Sequence, residues 1–116
     1  MNFDVITKFW DNQTELSILS KDQKASCRMD IYKDEPSVAV LSGLYIDESY
    51  RQQGFGRELL RYCLDVAKYY GCTKVQLRSD LDFTNPNDQG NWILPWYKRE
   101  GFQPISCQVW LERELQ

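Results

Sequence analysis

The sequence predicts an α+β fold built on one mixed sheet, and two observations carry that prediction. Four strand-like stretches precede the first helix, and after residue 55 helices and strands alternate. The resulting order β-β-β-β-α-β-α-β is not that of a doubly wound nucleotide-binding fold, where the alternation runs from the start. With 116 residues and no internal repeat or Pro/Ser-rich linker, residues 1–116 read as a single domain.

FDVITKF (3–9) is short and only partly alternating, and ELSILSK (15–21) alternates at Leu16 and Ile18 before Leu19 breaks the period. Both read as strands. In SCRMDIYKD (26–34), Cys27, Met29 and Ile31 alternate with Arg28, Asp30 and Tyr32, the pattern of a half-buried strand, and Asp34-Glu35-Pro36 turns the chain. SVAVLSGLYID (37–47) is nearly all apolar, as in a central strand covered on both faces. Gly43 interrupts it and predicts a bulge or a close backbone approach.

A helix follows over 55–70, where Leu59, Leu60, Cys63, Leu64 and Ala67 recur at helical spacing and Gly71 stands as the C′ cap. KVQLRS (74–79) is a short strand, and DFTNPNDQGN (82–91) is a loop of turn-forming residues. A shorter helix is expected over about 94–100, because Pro95 is tolerated only in a first turn and Gly101 can end it. FQPISCQVWLER (102–113) closes the chain as one or two strands.

Composition and charge narrow the function. The net charge is −3 and the pI about 4.9, so the surface repels phosphate backbones and no nucleic-acid partner is expected. A cationic partner such as an amine fits better. No apolar run approaches the ~20 residues that span a bilayer, and the start lacks the basic and apolar regions of a signal peptide, so a cytoplasmic protein without a membrane partner is expected. Cys27, Cys63, Cys72 and Cys107 form no C-x-x-C pair and read as reduced thiols, buried or half-buried. There is no histidine, which removes the usual zinc constellations as well as Ser-His-Asp and Cys-His catalysis. No metal site is predicted. Any general base is a carboxylate, a water or an unusual lysine.

The chemistry concentrates in SYRQQGFGRELL (49–60). It is not a Walker A loop, because Gly56 is followed by Arg57-Glu58 and the spacing is wrong. Nor is it a dinucleotide fingerprint, since Leu59 stands where the third glycine belongs. What remains is a buried strand ending near Asp47 and a tight turn into an amphipathic helix. The amides of residues about 52–57 are then orphan donors at the positive end of the helix dipole, and glycines at 54 and 56 let a bulky anion approach. Arg51, Arg57 and Arg61 are candidates for charge-assisted contacts. A plain strand-helix turn would leave the same local trace.

Arg51-Gln52-Gln53-Gly54-Phe55-Gly56 resembles the acyl-CoA signature of the GNAT family of N-acetyltransferases at every defined position: Gln or Arg, two residues, Gly, one residue, then Gly or Ala. WYKREGF (96–102) is similar to that family's later aromatic-Tyr-x-x-x-Gly-Phe element. The likeness covers about residues 37 to 105, and residues 1–36 match only as generic strands. It implies an acyl-CoA N-acyltransferase-like fold, a mostly antiparallel central sheet flanked by helices, and transfer of acetyl from acetyl-CoA to an amine without an acyl-enzyme.

By the same resemblance, the backbone of Leu44, Tyr45 and Ile46 pairs with the pantetheine arm, with an N–H near Ile46 polarising the thioester carbonyl. The amides from Gln52 through Gln53, Gly54, Phe55 and Gly56 to Arg57 hold the pyrophosphate. Tyr97 occupies the position of the general acid for the departing thiolate. The base stays open among Asp47, Glu48, Asp80, Asp82 and a water chain.

Two departures from the family stand out. Residues 3–25 contain no long amphipathic helix to wall the acceptor site. The asparagine common about seven residues before the tyrosine would fall on Gly90, with Asn87 and Asn91 nearby. The missing wall implies an open acceptor groove, suited to a protein lysine or N-terminus more than to a small amine. Trp92, Trp96 and Trp110 would line an acceptor groove or a partner surface, or sit in the core. The alternative to an enzyme is a non-catalytic acyl-CoA-binding or protein-interaction module on the same fold.

Overall fold

The computed structural model describes residues 2–50, 53–78, 93–105 and 110–115. Arg51, Gln52, Asp80, Asp82, Asn87, Gly90, Asn91, Trp92 and Cys107 lie outside the described residues.

The chain runs β1 (Phe3–Phe9), β2 (Gln13–Ser20), β3 (Ala25–Tyr32), β4 (Val38–Ile46), α1 (Phe55–Tyr69), β5 (Lys74–Arg78), α2 (Ile93–Arg99), β6 (Gln103–Pro104) and β7 (Trp110–Glu114). The C-terminal segment therefore forms two strands. Seven strands make one sheet in the order β1-β2-β3-β4-β5-β7-β6. Among the described residues only β4 and β5 run parallel, and α1 supplies the crossover that a parallel pair needs. The other neighbours are antiparallel, so the sheet is mixed and mostly antiparallel.

Period-two burial assembles the core. Leu16 and Ile18 of β2 and Cys27, Met29 and Ile31 of β3 turn inward, beside Ala39 and Leu41 of β4 and Val75 and Leu77 of β5. Against them α1 lays its stripe of Leu59, Leu60, Cys63, Leu64 and Ala67, all buried. Asp30 is a buried acid on the alternate positions of β3, and it is satisfied there. Gln13 Nε2 donates to it at 2.9 Å, and Arg28 Nε pairs with it at 3.2 Å. Cys27, Cys63 and Cys72 are all buried.

Both helices end as the glycines predict. The Gly71 amide donates to Lys68 O and the Cys72 amide to Ala67 O, closing α1; Gly101 to Lys98 O and Phe102 to Tyr97 O repeat the motif after α2. Between β1 and β2 there is no helix. Trp10 N donates to Gln13 O at 2.8 Å, so a two-residue loop, Asp11-Asn12, joins the strands directly.

Candidate functional site

The site begins where β4 and β5 part. Their ladder runs from Val38–Lys74 to Leu41–Leu77, and beyond it β4 continues to Ile46 without a β5 partner among the described residues. A bulge causes the change of course. Ser26 pairs with Tyr45 and Arg28 with Ser42, so Cys27 faces two residues of β4, Gly43 and Leu44. Gly43 takes φ +63, a conformation that costs any side-chain-bearing residue.

After the bulge, Asp47 N bonds Lys24 O on the β3 side. Alternation then places the main-chain polar groups of Leu44 and Ile46 on the edge away from β3. Leu44 and Ile46 also keep apolar contact with the core, while Tyr45 is exposed.

The chain then makes one 3₁₀ turn, Glu48–Tyr50, and enters α1 through Gly54. Gly54 is the N-cap, left-handed at φ 81, and makes no side-chain cap hydrogen bond. A Cβ built on it would meet nothing within 4 Å. A side chain at Gly54 would therefore enter open space beside the start of α1, where the helix dipole favours an anion. Gly56 is different: its Cβ would lie 3.6 Å from Trp96 Cζ2 and 3.7 Å from Ile46 Cγ1. The end of β4, the start of α1 and α2 thus meet at Gly56.

The remaining expected site residues divide by what their side chains do. Gln53 is exposed and its Nε2 donates to Ser49 O at 2.8 Å. Phe55 stacks edge-on against Tyr50, centroids 4.8 Å apart. The Arg57 guanidinium is turned away to Glu100, with Nε and Nη2 each 3.1 Å from Oε2 of a carboxylate only 4% exposed. Arg113 Nη1 donates to Glu100 O at 2.7 Å and fastens the same corner. Tyr97 is wholly buried, edge-on to Trp96 at 5.0 Å and to Phe102 at 5.5 Å. A cleft of about 890 Å³ opens elsewhere, between α1 and β6–β7, lined by Arg61, Lys68, Arg99 and Glu112 among others. Arg57 and Glu100 also line it, whereas Gly54 and residues 44–46 do not.

Of the carboxylates considered for the base, Asp47 is already committed. Its Oδ1 accepts from Ser49 N at 3.0 Å and Ser49 Oγ at 2.7 Å, starting the 3₁₀ turn. Those two hydrogen bonds hold its carboxyl below the usual range, the wrong direction for a base near neutral pH.

Sequence reasoning missed a brace under the cradle. The Tyr50 hydroxyl donates to Asp22 on the β2–β3 turn, and Lys24 Nζ sits 5.6 Å over the same ring. With Phe55 on its other side, Tyr50 ties that turn to the entry of α1. Nothing local marks the partnership, because Asp22 and Tyr50 are 28 positions apart.

The hydroxyls of Tyr50 and Ser20 and the Lys24 amide lower the Asp22 carboxyl to about 2. A depressed carboxyl contributes stability that is present above its unfolded value near ~3.9 and lost as pH falls through about 2. Tyr50→Phe is expected to raise the Asp22 titration midpoint, read by NMR, and to raise the KM for acetyl-CoA several-fold as the loop loosens. An unmoved Asp22 midpoint would show that the hydroxyl contributes nothing there.

The comparisons agree with this geometry. The model of the acetyltransferase (GNAT) family matches residues 9–102. No curated protein sequence matches the chain. Among solved structures, the chain is similar to an acetyltransferase from Bacillus cereus at 20% identity and TM-score 0.61, covering 89% of this chain and 73% of that one. It is similar to the ribosomal-protein-S18-alanine N-acetyltransferase from Escherichia coli at 15% identity and TM-score 0.64, covering 93% and 71%. The paia N-acetyltransferase from Thermoplasma acidophilum, solved in complex with coenzyme A, gives 17% identity and TM-score 0.63 over 89% and 61%. At these identities the structures establish the fold, an acyl-CoA N-acyltransferase-like one. The family match covers 94 of the 116 residues, and on it the chain belongs to the acetyltransferase (GNAT) family.

Proposed function

We propose that this acyltransferase moves acetyl from acetyl-CoA to an amine presented by another protein, a lysine side chain or an N-terminus. One observation supports the donor site above the rest: Ile46, Gly56 and Trp96, from three separate elements, meet at the end of β4, past the last β4–β5 pair among the described residues. Acetyl-CoA, when bound there, supplies an acetyl group already activated as a thioester.

The chain's own residues divide the remaining work. The main chain of Leu44, Tyr45 and Ile46 lines the opened edge and orients the pantetheine arm as an added strand would. The amides from Gln52 and Gln53 through Gly54, Phe55, Gly56 and Arg57 bind the pyrophosphate at the positive end of α1, with Arg51 opening the signature. Tyr97 Oη holds the proton that neutralises the departing sulfur, from a ring enclosed by Trp96 and Phe102. With Asp47 tied to Ser49, deprotonation of the incoming amine falls to a water or to another carboxylate.

The acceptor reading rests on the direct β1–β2 hairpin, which leaves no helix between these strands to enclose the amine. Incubation of the chain with labelled acetyl-CoA and cell lysate tests it. Label is expected on protein. Label confined to small amines would overturn the open-groove reading while leaving acetyl transfer intact.

A further inference from the structure

The edge of the sheet farthest from α2 is left unfinished. β1 pairs with β2 on one side only, and no described residue bonds its outer edge. Such an edge is a template for another strand, and proteins usually blunt it with charge, proline or a bulge. β1 has seven residues in unbroken register with β2 and carries neither proline nor bulge. Beside the exposed charges Asp4 and Lys8 it exposes apolar surface, Ile6 at 50% and Phe9 at 77%, and Trp10 just after it is 53% exposed.

The hydrogen-bond phase of β1 specifies what can pair there. Trp10 N bonds Gln13 O, so Trp10, and by alternation Lys8, Ile6 and Asp4, direct their main-chain groups toward β2. Phe3, Val5, Thr7 and Phe9 direct theirs outward. An antiparallel copy of β1 related by a two-fold axis through Ile6 pairs Val5 with Thr7 and Phe3 with Phe9, all four outward-facing. It also engages the whole strand.

The side chains agree with that register. Opposite residues share a face, so Asp4 of each copy stands against Lys8 of the other, and Ile6 against Ile6. On the α1 face, Phe3 already packs on Tyr62 at 5.2 Å, and the exposed Phe9 of the second copy would cover that pair. Moving the axis to Val5 or Thr7 instead sets Ile6 opposite Asp4 or Lys8 and shortens the ladder.

We propose that the outer edge of β1 is an isologous interface that takes β1 of a second copy of this chain, antiparallel and centred on Ile6, joining two sheets into one. Ile6, Phe9 and both charges are then satisfied by a single symmetric contact. β1 lies three strands from β4, roughly 14 Å at ordinary strand spacing, so the contact leaves the glycine cradle accessible.

Sedimentation velocity on the full chain over a micromolar concentration series tests the proposal. A dimer is expected. Asp4→Lys places like charges at both symmetric positions and should weaken dimerisation about tenfold, as should Lys8→Asp. The double swap Asp4→Lys with Lys8→Asp should restore it, which a merely destabilised strand would not do. Ile6→Cys should give a cross-linked dimer on oxidation, because residues opposite in a non-hydrogen-bonded pair lie about 4.5 Å apart at Cα, within disulfide reach.

Acetyl-CoA binding by these variants should be unchanged, and this readout separates a failed interface from a failed cradle. A chain that stays monomeric across the series overturns the proposal and leaves the edge to a strand of some other protein. A dimer indifferent to Asp4→Lys, or a double swap that stays monomeric, overturns it as well.

Discussion

Gly54→Glu is expected to weaken acetyl-CoA binding at least ~100-fold while the chain still folds. Two effects act at this position, and their sizes differ. Gly54 sits at φ 81, where an L-residue costs about 1–2 kcal/mol, and a Cβ there meets no atom within 4 Å. The strain is therefore modest and no clash adds to it. The glutamate carboxylate, however, projects into the space where the pyrophosphate is proposed to lie. Like charges about 4 Å apart near a protein surface repel by about 4 kcal/mol, so the repulsion outweighs the backbone strain. Gly54→Ala separates the two, since it carries the strain without the charge. Titration calorimetry with acetyl-CoA should rank native above Ala above Glu, with thermal melts recording similar losses for both variants. Equal affinities for Ala and Glu would remove the phosphate from this cradle.

Tyr97→Phe is expected to lower kcat about 100-fold, at the low end of what a positioned general acid contributes, with little change in the KM for acetyl-CoA. The substitution is clean because the ring is the packed part. Tyr97 is wholly enclosed, and phenylalanine retains the edge contacts with Trp96 and Phe102. The loss of one hydroxyl hydrogen bond should cost about 1 kcal/mol of stability. Single-turnover release of CoA measures the chemical step. If that rate is unaltered, Tyr97 is a packing residue of α2 and the proton comes from elsewhere.

The sequence was most informative where the relevant physics is short-ranged. β1 occupies Phe3–Phe9, the stretch that alternates only in part, and α1 begins at Phe55 and ends at Tyr69, before Gly71. Gly43 marked a real bulge. In each case a period of two or 3.6, or a backbone that must take positive φ, is written within a few neighbouring residues. The family likeness rests on the same kind of information, because the glycine signature and WYKREGF are contiguous runs. The family match now extends it to residue 9, well before the stretch the motifs alone covered.

Side-chain partners were not legible in this way. The Arg57 guanidinium goes to Glu100, 43 residues on, and Tyr50 to Asp22, 28 residues back. No periodicity relates such positions, and each partnership exists only because the sheet register brings the elements together. For Arg57 this changes the role, since a carboxylate with 4% exposure holds the charge that seemed available for phosphate. Asp47 likewise looked like one of several candidate bases until its two bonds to Ser49 appeared.

By itself, then, the sequence determined the order and type of the elements, the cradle's glycines and the tyrosine of α2, because each is encoded by neighbours in the chain. Only the tertiary structure decided that the β4–β5 ladder runs, among the described residues, from Val38 to Leu41, that Gly56 meets Ile46 and Trp96, and that β1 ends the sheet with Ile6 and Phe9 exposed. These are consequences of strand register and helix packing, which set non-local distances that no stretch of sequence contains.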